Sequence, residues 1–297
     1  MLRSISPLIA LFIILIAGAA FHSVSAQDKT TTPAKPAAQE KTPAPAPAKT
    51  PQDKTPLTSA KTPTAEQVAE GVIFAYGSRG VLEQIRRNGV ERGHITRTTQ
   101  EGRAEESTYE RRFVRGADAT KDKVRVDQKM PNMEYSLIYG EGRLWGIING
   151  SSFTPRQDAV DSFMSQYWHS IDALLRYKEN GSTVAYVDRI KQKGLDIYVI
   201  DVTDKEKRST RYYLSAKTLR VLWLEYQEAQ DSGGSAVKYT RKFSDYRPIQ
   251  NTLLAYHTVL MAGDKQVQET RISSVTYGLK LEDSLFQNPD TQASSSP

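Results

Sequence analysis

A few histidine, serine and carboxylate residues of this 297-residue chain are of types that allow metal binding or catalysis. His169 and Asp172 are three residues apart in a predicted helix, a spacing compatible with two metal ligands. A third ligand is not evident in the sequence, and a histidine among Trp, Ile and Leu is typical of a helix flank. His94 and His257 fall in predicted strands with no motif around them. We therefore predict no metal site.

The candidate nucleophiles and acids are equally weak. Ser151 and Ser152 follow an Asn-Gly turn and lack the Gly-x-Ser-x-Gly elbow of hydrolases. Glu105 and Glu106 are adjacent in a predicted charged loop, where neighbouring carboxylates point apart, so they do not make a glycosidase pair. The chain has no cysteine, which excludes a cysteine nucleophile, thiolate metal sites, disulfides and Fe–S chemistry. We predict a protein that is not an enzyme, with no catalytic residue and no cofactor.

The aromatic residues are a better lead to function. The chain contains 15 Tyr, 3 Trp and 8 Phe, and several of them stand in apolar strands. Ordinary core packing is one interpretation. The other is that some of them line an apolar cleft between a sheet and helices, a site that suits an acyl chain. The predicted ligand-binding residues are Leu137, Trp145, Ile147, Phe163, Tyr167, Ile171, Leu174, Tyr198 and Trp223.

The N-terminus has the layout of an export signal. Residues 1–26 combine a positive start at Arg3, an apolar run over 8–21 and small residues before Gln27. The run is shorter than the roughly 20 residues that a membrane-spanning helix needs, although an uncleaved anchor is the alternative. Because no cysteine follows the signal, lipoprotein processing is excluded. We predict a periplasmic or otherwise exported protein with a cleavable signal peptide.

Residues 27–63 form a predicted disordered linker built on a repeated Lys-Thr-Pro theme. Eight prolines and no aromatic residue mean that this stretch cannot bury enough apolar surface to fold. Fixed proline φ angles favour extended geometry, so we expect a semi-stiff spacer. Its six lysines also allow peripheral contact with an anionic membrane or cell wall.

The net charge of +6 does not indicate nucleic-acid binding. The linker holds six Lys against three acidic residues, and one further basic residue belongs to the signal. Residues 64–297 then carry 33 basic and 31 acidic residues, a near balance. Phosphate binding usually needs a stronger positive bias in the folded domain. We predict no nucleic-acid partner.

Two helices are expected in the globular part. Thr64 and Gln67 form a capping-box pattern that begins an amphipathic helix over 65–87, interrupted near Gly77. A second helix over 155–177 carries Phe163, Tyr167, Ile171 and Leu174 at spacings of four, four and three, which predicts one continuous apolar stripe facing the sheet.

Between and after the helices the hydrophobic period changes to two. Twelve candidate strands follow, with short turns between them. They are 90–99, 107–115, 122–129, 133–140, 143–149, 183–191, 194–203, 208–215, 219–228, 236–246, 252–262 and 266–277. Short connections imply antiparallel hairpins. We predict an α+β domain over 64–289, a curved sheet of about 11–12 strands with two helices over its concave face, and a disordered tail over 290–297.

Four short stretches of the chain resemble the LolA-like family of periplasmic lipoprotein-sorting and lipid-binding proteins. Residues 76–85 look like the family's Gly-containing helix, and 212–220 look like its strand-turn-strand step. The sequence Phe-Ser-Asp-Tyr-Arg-Pro at 243–248 is similar to a family strand. Residues 272–289 are similar to its closing strand and the Asp-x-x-Phe-x-x-Pro ending. The resemblance implies an unclosed antiparallel half-barrel with helices across its concave face.

The resemblance also implies a function, a carrier that binds lipid or an acylated protein non-covalently in an apolar cavity. The alternative is a non-enzymatic interaction or scaffold module of the cell envelope, in which the half-barrel is filled by its own side chains. Under the first interpretation access to the cavity is governed by the helices. The two hypotheses differ in whether apolar side chains between the sheet and the helices remain accessible.

Deleting residues 28–60 should leave the melting temperature of the domain nearly unchanged, because a segment of this composition contributes nothing to a packed core. Thermal unfolding of the full chain and of the deletion variant, followed by circular dichroism, measures this. A fall of more than a few degrees would show that the segment docks on the domain.

Overall fold

The computed structural model describes residues 62–99, 101–229 and 236–288, so the predicted signal, nearly all of the linker and the tail lie outside the described residues. The described part forms one 13-stranded antiparallel sheet with four α-helices. In chain order the elements are α1 Ala65–Ala75, α2 Arg79–Ile85, β1 Asn88–Thr98, β2 Ala104–Val114, β3 Lys123–Met130, β4 Met133–Gly140, β5 Arg143–Ile148, β6 Ser151–Phe153, α3 Gln157–Trp168, α4 Ile171–Leu175, β7 Thr183–Gln192, β8 Leu195–Thr203, β9 Ser209–Ser215, β10 Val221–Glu228, β11 Val237–Ile249, β12 Thr252–Ala262 and β13 Lys265–Tyr277.

The strand order is β6-β5-β4-β3-β2-β1-β13-β12-β11-β10-β9-β8-β7. Consecutive strands are therefore hydrogen-bonded to each other except β6 and β7, and the first strand also pairs with the last. That pairing joins two arms into one open sheet. The β1–β5 arm ends at the edge strand β6, and the β7–β12 arm begins at the edge strand β7 and is connected to β1 through β13. The helices α3 and α4 lie in the connection between these two edges. The expected open antiparallel sheet is confirmed.

The sheet has one strand more than the 11–12 expected. The additional strand is β6, Ser151–Phe153, which directly follows the Asn-Gly turn recognised in the sequence. Two serines in a three-residue strand carry no period-two signal. Glu105 and Glu106, expected in a loop, lie in β2 opposite Arg97 and Thr96 of β1.

The first predicted helix has the expected start and the expected interruption. Thr64 accepts a hydrogen bond from the Gln67 amide (3.2 Å), and the Gln67 side chain accepts one from the Thr64 amide (2.8 Å). The chain leaves the helix at Gly77, whose φ of +133° is open mainly to glycine. A Cβ at Gly77 would lie 2.9 Å from the Asn251 carbonyl oxygen, so this break brings α1 against the β11–β12 turn.

The second predicted helix is not continuous, and this corrects the expectation for 155–177. α3 ends at His169, which has a non-helical ψ of 71°, and α4 restarts with Ser170 as its N-cap. The Ser170 hydroxyl accepts from the Ala173 amide (3.3 Å) and donates to the Tyr167 carbonyl (2.9 Å). A serine side chain that competes in this way for backbone groups favours a cap over a helix interior. None of the helices in the described ranges is long and apolar enough to span a bilayer.

Strand register defines two faces of the sheet. Tyr139, Val124 and Phe113 are direct neighbours on β4, β3 and β2, and they share one face with Tyr212 and Leu224 of the other arm. All four helices have side chains packed on this face, which we name the helix-covered face. The opposite face is the outer face. The main core therefore lies between the helices and one side of the sheet.

Replacing Gly93 by Ala should destabilise the fold, because Gly93 lies where the β1–β13 register shifts. An added Cβ would lie 2.2 Å from the Arg271 carbonyl oxygen and 2.8 Å from the Tyr109 ring. We expect a loss of about 1–3 kcal/mol in the free energy of unfolding, measured in urea.

Gly80→Ala is the matched control. A Cβ at Gly80 meets nothing within 4 Å, and the residue lies in α2, so alanine should stabilise by up to about 1 kcal/mol. Equal stability of Gly93→Ala and wild type would show that β1 and β13 do not pair in this register.

Candidate functional site

Two apolar clusters lie on the helix-covered face. The α1 cluster is built around Val72, Tyr76, Leu174, Tyr212, Leu214 and Leu224 and fills the space between α1, α4 and the β7–β12 arm. The α3 cluster is built around Phe113, Val124, Tyr139, Phe163, Met164 and Tyr167 and lies between α3 and the β1–β5 arm. The two clusters differ in how tightly they are packed.

The α1 cluster is a filled core. Leu174, Tyr212, Leu214 and Leu224 are each 0% exposed, which leaves no water-sized space against any of them. α1 itself buries Val68, Ala69, Val72 and Ile73 along one side. A ligand has no room in this half without displacing side chains.

The α3 cluster is covered more loosely. Ser165 is the one buried residue of α3, whereas Phe163, Met164 and Tyr167 are partly exposed. Phe163 and Tyr167 contact the buried Tyr139 ring with centroid distances of 6.4 and 5.4 Å. Leu137 of β4 is also half-buried. Apolar side chains of α3 and of the sheet beneath it therefore remain partly accessible to solvent.

A buried carboxylate fixes α3 and α4 to the loop between β2 and β3. Asp122 is fully buried and accepts hydrogen bonds from Arg115 (2.8 Å), Arg176 (2.7 Å) and the Gly116 amide (2.7 Å). The Tyr167 hydroxyl, at the end of α3, donates to the same carboxylate. A buried charge needs this number of partners, because its desolvation would otherwise be unfavourable.

A second carboxylate, Asp172 of α4, extends the network to the end of α2. It pairs with Arg115 and, at 3.1 Å, with Arg86. Burial by itself would raise the pKa of Asp172, but the guanidinium groups of Arg115 and Arg86 hold it well below its usual range. These contacts leave Asp172 fully engaged, and it does not face His169 as a metal ligand.

The C-terminal end of α3 is held from the other arm of the sheet. Arg241 of β11 is buried and donates to the carbonyls of Gln166 (3.1 Å) and His169 (3.0 Å). Carbonyls at a helix C-terminus are unpaired and carry partial negative charge, so they stabilise a cation there. The Tyr212 hydroxyl adds a bond to the Ser170 carbonyl (2.7 Å).

His169, at the junction of α3 and α4, is a neutral core residue. Its ring stacks on Tyr226 at 4.0 Å, and Nδ1 lies 2.6 Å from Thr210 Oγ1. Burial lowers the pKa of His169 to about 4, with a further contribution from the nearby charges of Arg241 and Arg208. Among the described residues no group of three His, Cys, Asp or Glu side chains is placed to hold a metal ion.

The nine predicted ligand-binding residues are distributed over three places. Phe163, Tyr167 and Leu137 lie at or beside the α3 cluster, whereas Ile171, Leu174 and Tyr198 belong to the α1 cluster. The continuous stripe expected on the second helix is therefore divided, because the break at Ser170 turns α4 toward the other arm. The remaining three are on the outer face.

Register places Trp145, Ile147 and Trp223 away from the helices. Trp145 is opposite Ile138, whose neighbour Tyr139 faces the α3 cluster. Trp223 is opposite Tyr213 and stacks on its ring at 4.4 Å. These residues do not line a cleft between the sheet and the helices.

The outer face is predominantly polar across β1–β4. A groove of about 350 Å³ lies there, and its lining includes Arg92, His94, Glu110, Asp127, Lys129 and Glu134. Glu110 pairs with both Arg92 and Arg112, and Asp127 pairs with Arg112 and Arg125. Cross-strand ion pairs of this kind stabilise a solvated sheet face. This groove does not have the apolar lining expected for an acyl chain.

A serine, a histidine and a glutamate are hydrogen-bonded across β11, β12 and β13 on the outer face. Ser244 Oγ is 2.8 Å from His257 Nδ1, and His257 Nε2 is 2.9 Å from Glu269 Oε1. Hydrolases use the same three groups, but they add amide donors aimed at the substrate oxygen. β11 and β12 are interior strands whose amides form the sheet ladder, so the arrangement is a cross-strand contact.

The arginines that hold the helices were not identified from the sequence. Arg115 and Asp172 are separated by 57 positions in the chain, and Arg241 and His169 by 72. The sequence shows only that arginines stand in or beside apolar strands, where each must find an acceptor. It does not indicate which residue accepts.

The free energy of unfolding should fall as the pH drops from 7 to 5, because unfolded His169 binds a proton with its ordinary pKa of 6.5 while the folded value is about 4. Linkage makes this contribution about 2 kcal/mol over that interval. His169→Phe, which keeps the stack on Tyr226, should show a flatter dependence in urea unfolding at the two pH values. Equal slopes for wild type and His169→Phe would contradict the assignment.

Comparison with known proteins agrees with this geometry at the level of the fold. The chain is similar to the crystal structure of a DUF1329 family protein from Desulfovibrio piger ATCC 29098, with 13% identity, a TM-score of 0.55, and coverage of 77% of this chain and 99% of that one. It is also similar to a LolA superfamily protein from Nitrosomonas europaea, with 12% identity, a TM-score of 0.53, and coverage of 76% and 98%. No protein-family model and no curated protein matches the chain. The expected resemblance is confirmed for the architecture, and the fold of this chain is LolA-like.

Proposed function

We propose that this protein is an exported, non-enzymatic carrier that binds a lipid, or the acyl chains of a lipoprotein, between α3 and the β1–β5 arm. The observation that carries the proposal is the unequal packing of the two clusters. α3 covers its half of the sheet with one buried residue, Ser165, whereas the α1 cluster is filled. Binding would need no cofactor, since burial of apolar surface drives it.

The partly exposed side chains of the α3 cluster supply the apolar contact. Phe163 and Met164 come from the helix, and Leu137 and Val126 are cross-strand neighbours beneath it. Each methylene of an acyl chain buried against them contributes about 0.8 kcal/mol. To make room for an acyl chain, α3 has to move away from the sheet. The end of α3 that Arg241 and Asp122 hold would then act as the pivot.

The second candidate function is a cell-envelope interaction module with a filled half-barrel. The observation in its favour is the α1 cluster, in which Tyr212, Leu214 and Leu224 leave no accessible space. In that case α3 covers the sheet and admits no ligand. The two candidates differ in whether acyl chains bind to the purified protein.

The N-terminal regions complete the proposal. We assign residues 1–26 as a signal peptide, 27–63 as a spacer, 64–289 as the binding domain and 290–297 as a tail. The exported location follows from the signal, and the six lysines of the spacer would allow contact with an anionic surface. Export places the carrier in the compartment where acylated proteins and lipids cross between surfaces.

Native mass spectrometry of the protein purified from its own host should show co-purified lipid. An uptake titration with a fluorescent fatty acid provides an independent measurement. A ligand-free mass together with no uptake of the probe would refute the carrier proposal and favour the module.

Phe163→Ala should lower probe uptake while costing less than the ~3–5 kcal/mol typical of a tightly packed aromatic residue. The reason is that the Phe163 side chain is only partly buried and lines the proposed site. Urea unfolding gives the stability, and fluorescence titration gives the uptake per folded molecule.

Leu174→Ala is the matched control, because Leu174 is 0% exposed in the filled α1 cluster. It should cost about 2–5 kcal/mol and leave uptake per folded molecule unchanged. A full stability loss in Phe163→Ala with wild-type uptake would rule out α3 as the cover of a ligand site.

A further inference from the structure

Arg97, at the end of β1, is a cation on the helix-covered face that is held by amides. Its Nη1 donates to Gln128 Oε1 at 3.3 Å and its Nε donates to Gln268 Oε1 at 3.4 Å. Both acceptors are neutral, and both distances are long for a charged hydrogen bond. The side chain is partly exposed to solvent. Glu105 of β2 lies opposite Arg97, but within the described residues the two side chains form no ion pair, so the positive charge of Arg97 remains available to an anion.

Arg241 lies in the same row of the sheet as Arg97, but its charge is not available to a ligand. Register aligns Arg97, Gln268, Leu260 and Arg241 across four neighbouring strands. Arg241 is buried, and its charge meets the carbonyls at the end of α3. Arg97 is thus the arginine of this row that an incoming group can reach.

Arg97 contacts a polar cluster formed by Gln128, Ser107 and Tyr135. Gln128 is 3% exposed and Ser107 is 8% exposed. Gln128 Nε2 donates to Ser107 Oγ at 2.7 Å, and the Tyr135 hydroxyl donates to Gln128 Oε1 at 2.6 Å. Such a cluster is unfavourable on an apolar face unless its groups are satisfied. The helix-covered face of β1–β5 is therefore divided into a polar end and an apolar end.

The two ends meet at Tyr135. Its ring lies on β4 opposite Ile148 of β5 and Gln128 of β3, one row from Leu137 and Val126. Those apolar side chains are half-buried and continue to the α3 cluster. α3 also reaches the polar end, where Gln268 Nε2 donates to the Gln166 side chain at 3.3 Å.

We propose that the ligand is an anionic amphiphile, whose carboxylate or phosphate head group binds Arg97 and whose acyl chain lies along the apolar end under α3. This inference rests on the proposed carrier function and adds the head-group chemistry. A guanidinium binds the paired oxygens of either anion more strongly than it binds amide oxygens. The head group would replace the Gln128 and Gln268 contacts of Arg97.

The experiment uses the mature full chain and three fluorescent probes with one acyl chain, a fatty acid, its methyl ester and the corresponding alkyl phosphate. The two anions should bind at least about tenfold more tightly than the neutral ester. Arg97→Gln should remove that difference in affinity and leave the affinity for the ester unchanged. Arg97→Lys keeps the positive charge, so it should keep part of the preference for the anions. Comparison of the two anionic probes distinguishes a fatty acid from a phospholipid source.

Arg92→Gln is the matched control, because Arg92 lies on the same strand but on the outer face, and it should leave all three affinities unchanged. Equal affinities for anion and ester, or an anion preference that survives in Arg97→Gln with a wild-type unfolding midpoint, would overturn the inference and leave the carrier proposal intact. Failure of wild type to bind any of the probes would overturn both.

Discussion

The connection between the two edges of the sheet is the constraint on which the rest of the structure depends. β6 and β7 are consecutive strands at opposite ends of the 13-strand order, so residues 154–182 must cross the whole sheet. In a flat sheet those edges would be about 58 Å apart, so the segment has to run over one face of the sheet. Phe163, Tyr167 and Leu174 of this segment pack on the helix-covered face. The helix-covered face and the outer face both follow from this connection.

Buried charges fix the middle of that crossing segment. Asp122 and Asp172 bind arginines from the end of α2, the β2–β3 loop and the end of α4, while Arg241 holds the end of α3 from the opposite arm. The junction is therefore tied to both arms of the sheet. α3 extends from it with few buried side chains of its own. A fixed end and a loosely packed body are what a movable cover requires.

The helix-covered face serves two physical purposes. On the β7–β12 arm it forms a filled core with α1, which supplies stability. On the β1–β5 arm it carries half-buried apolar residues and a satisfied polar cluster around Gln128. A protein core alone would not need the second region, because buried polar groups are usually less favourable than apolar ones. That contrast is the physical basis of the proposed site.

The sequence by itself determined the elements. Period-two patterns located twelve of the thirteen strands, the Thr64 capping box located α1, and Gly77 located its end, because these signals act between residues a few positions apart. Tertiary structure decided the faces. Ile138 and Tyr139 are both buried, so alternation could not show that Trp145 points outward. It also decided the partners of Arg115 and the contacts that Arg241 and Tyr212 make at the break beside Ser170, since those contacts join residues distant in the chain.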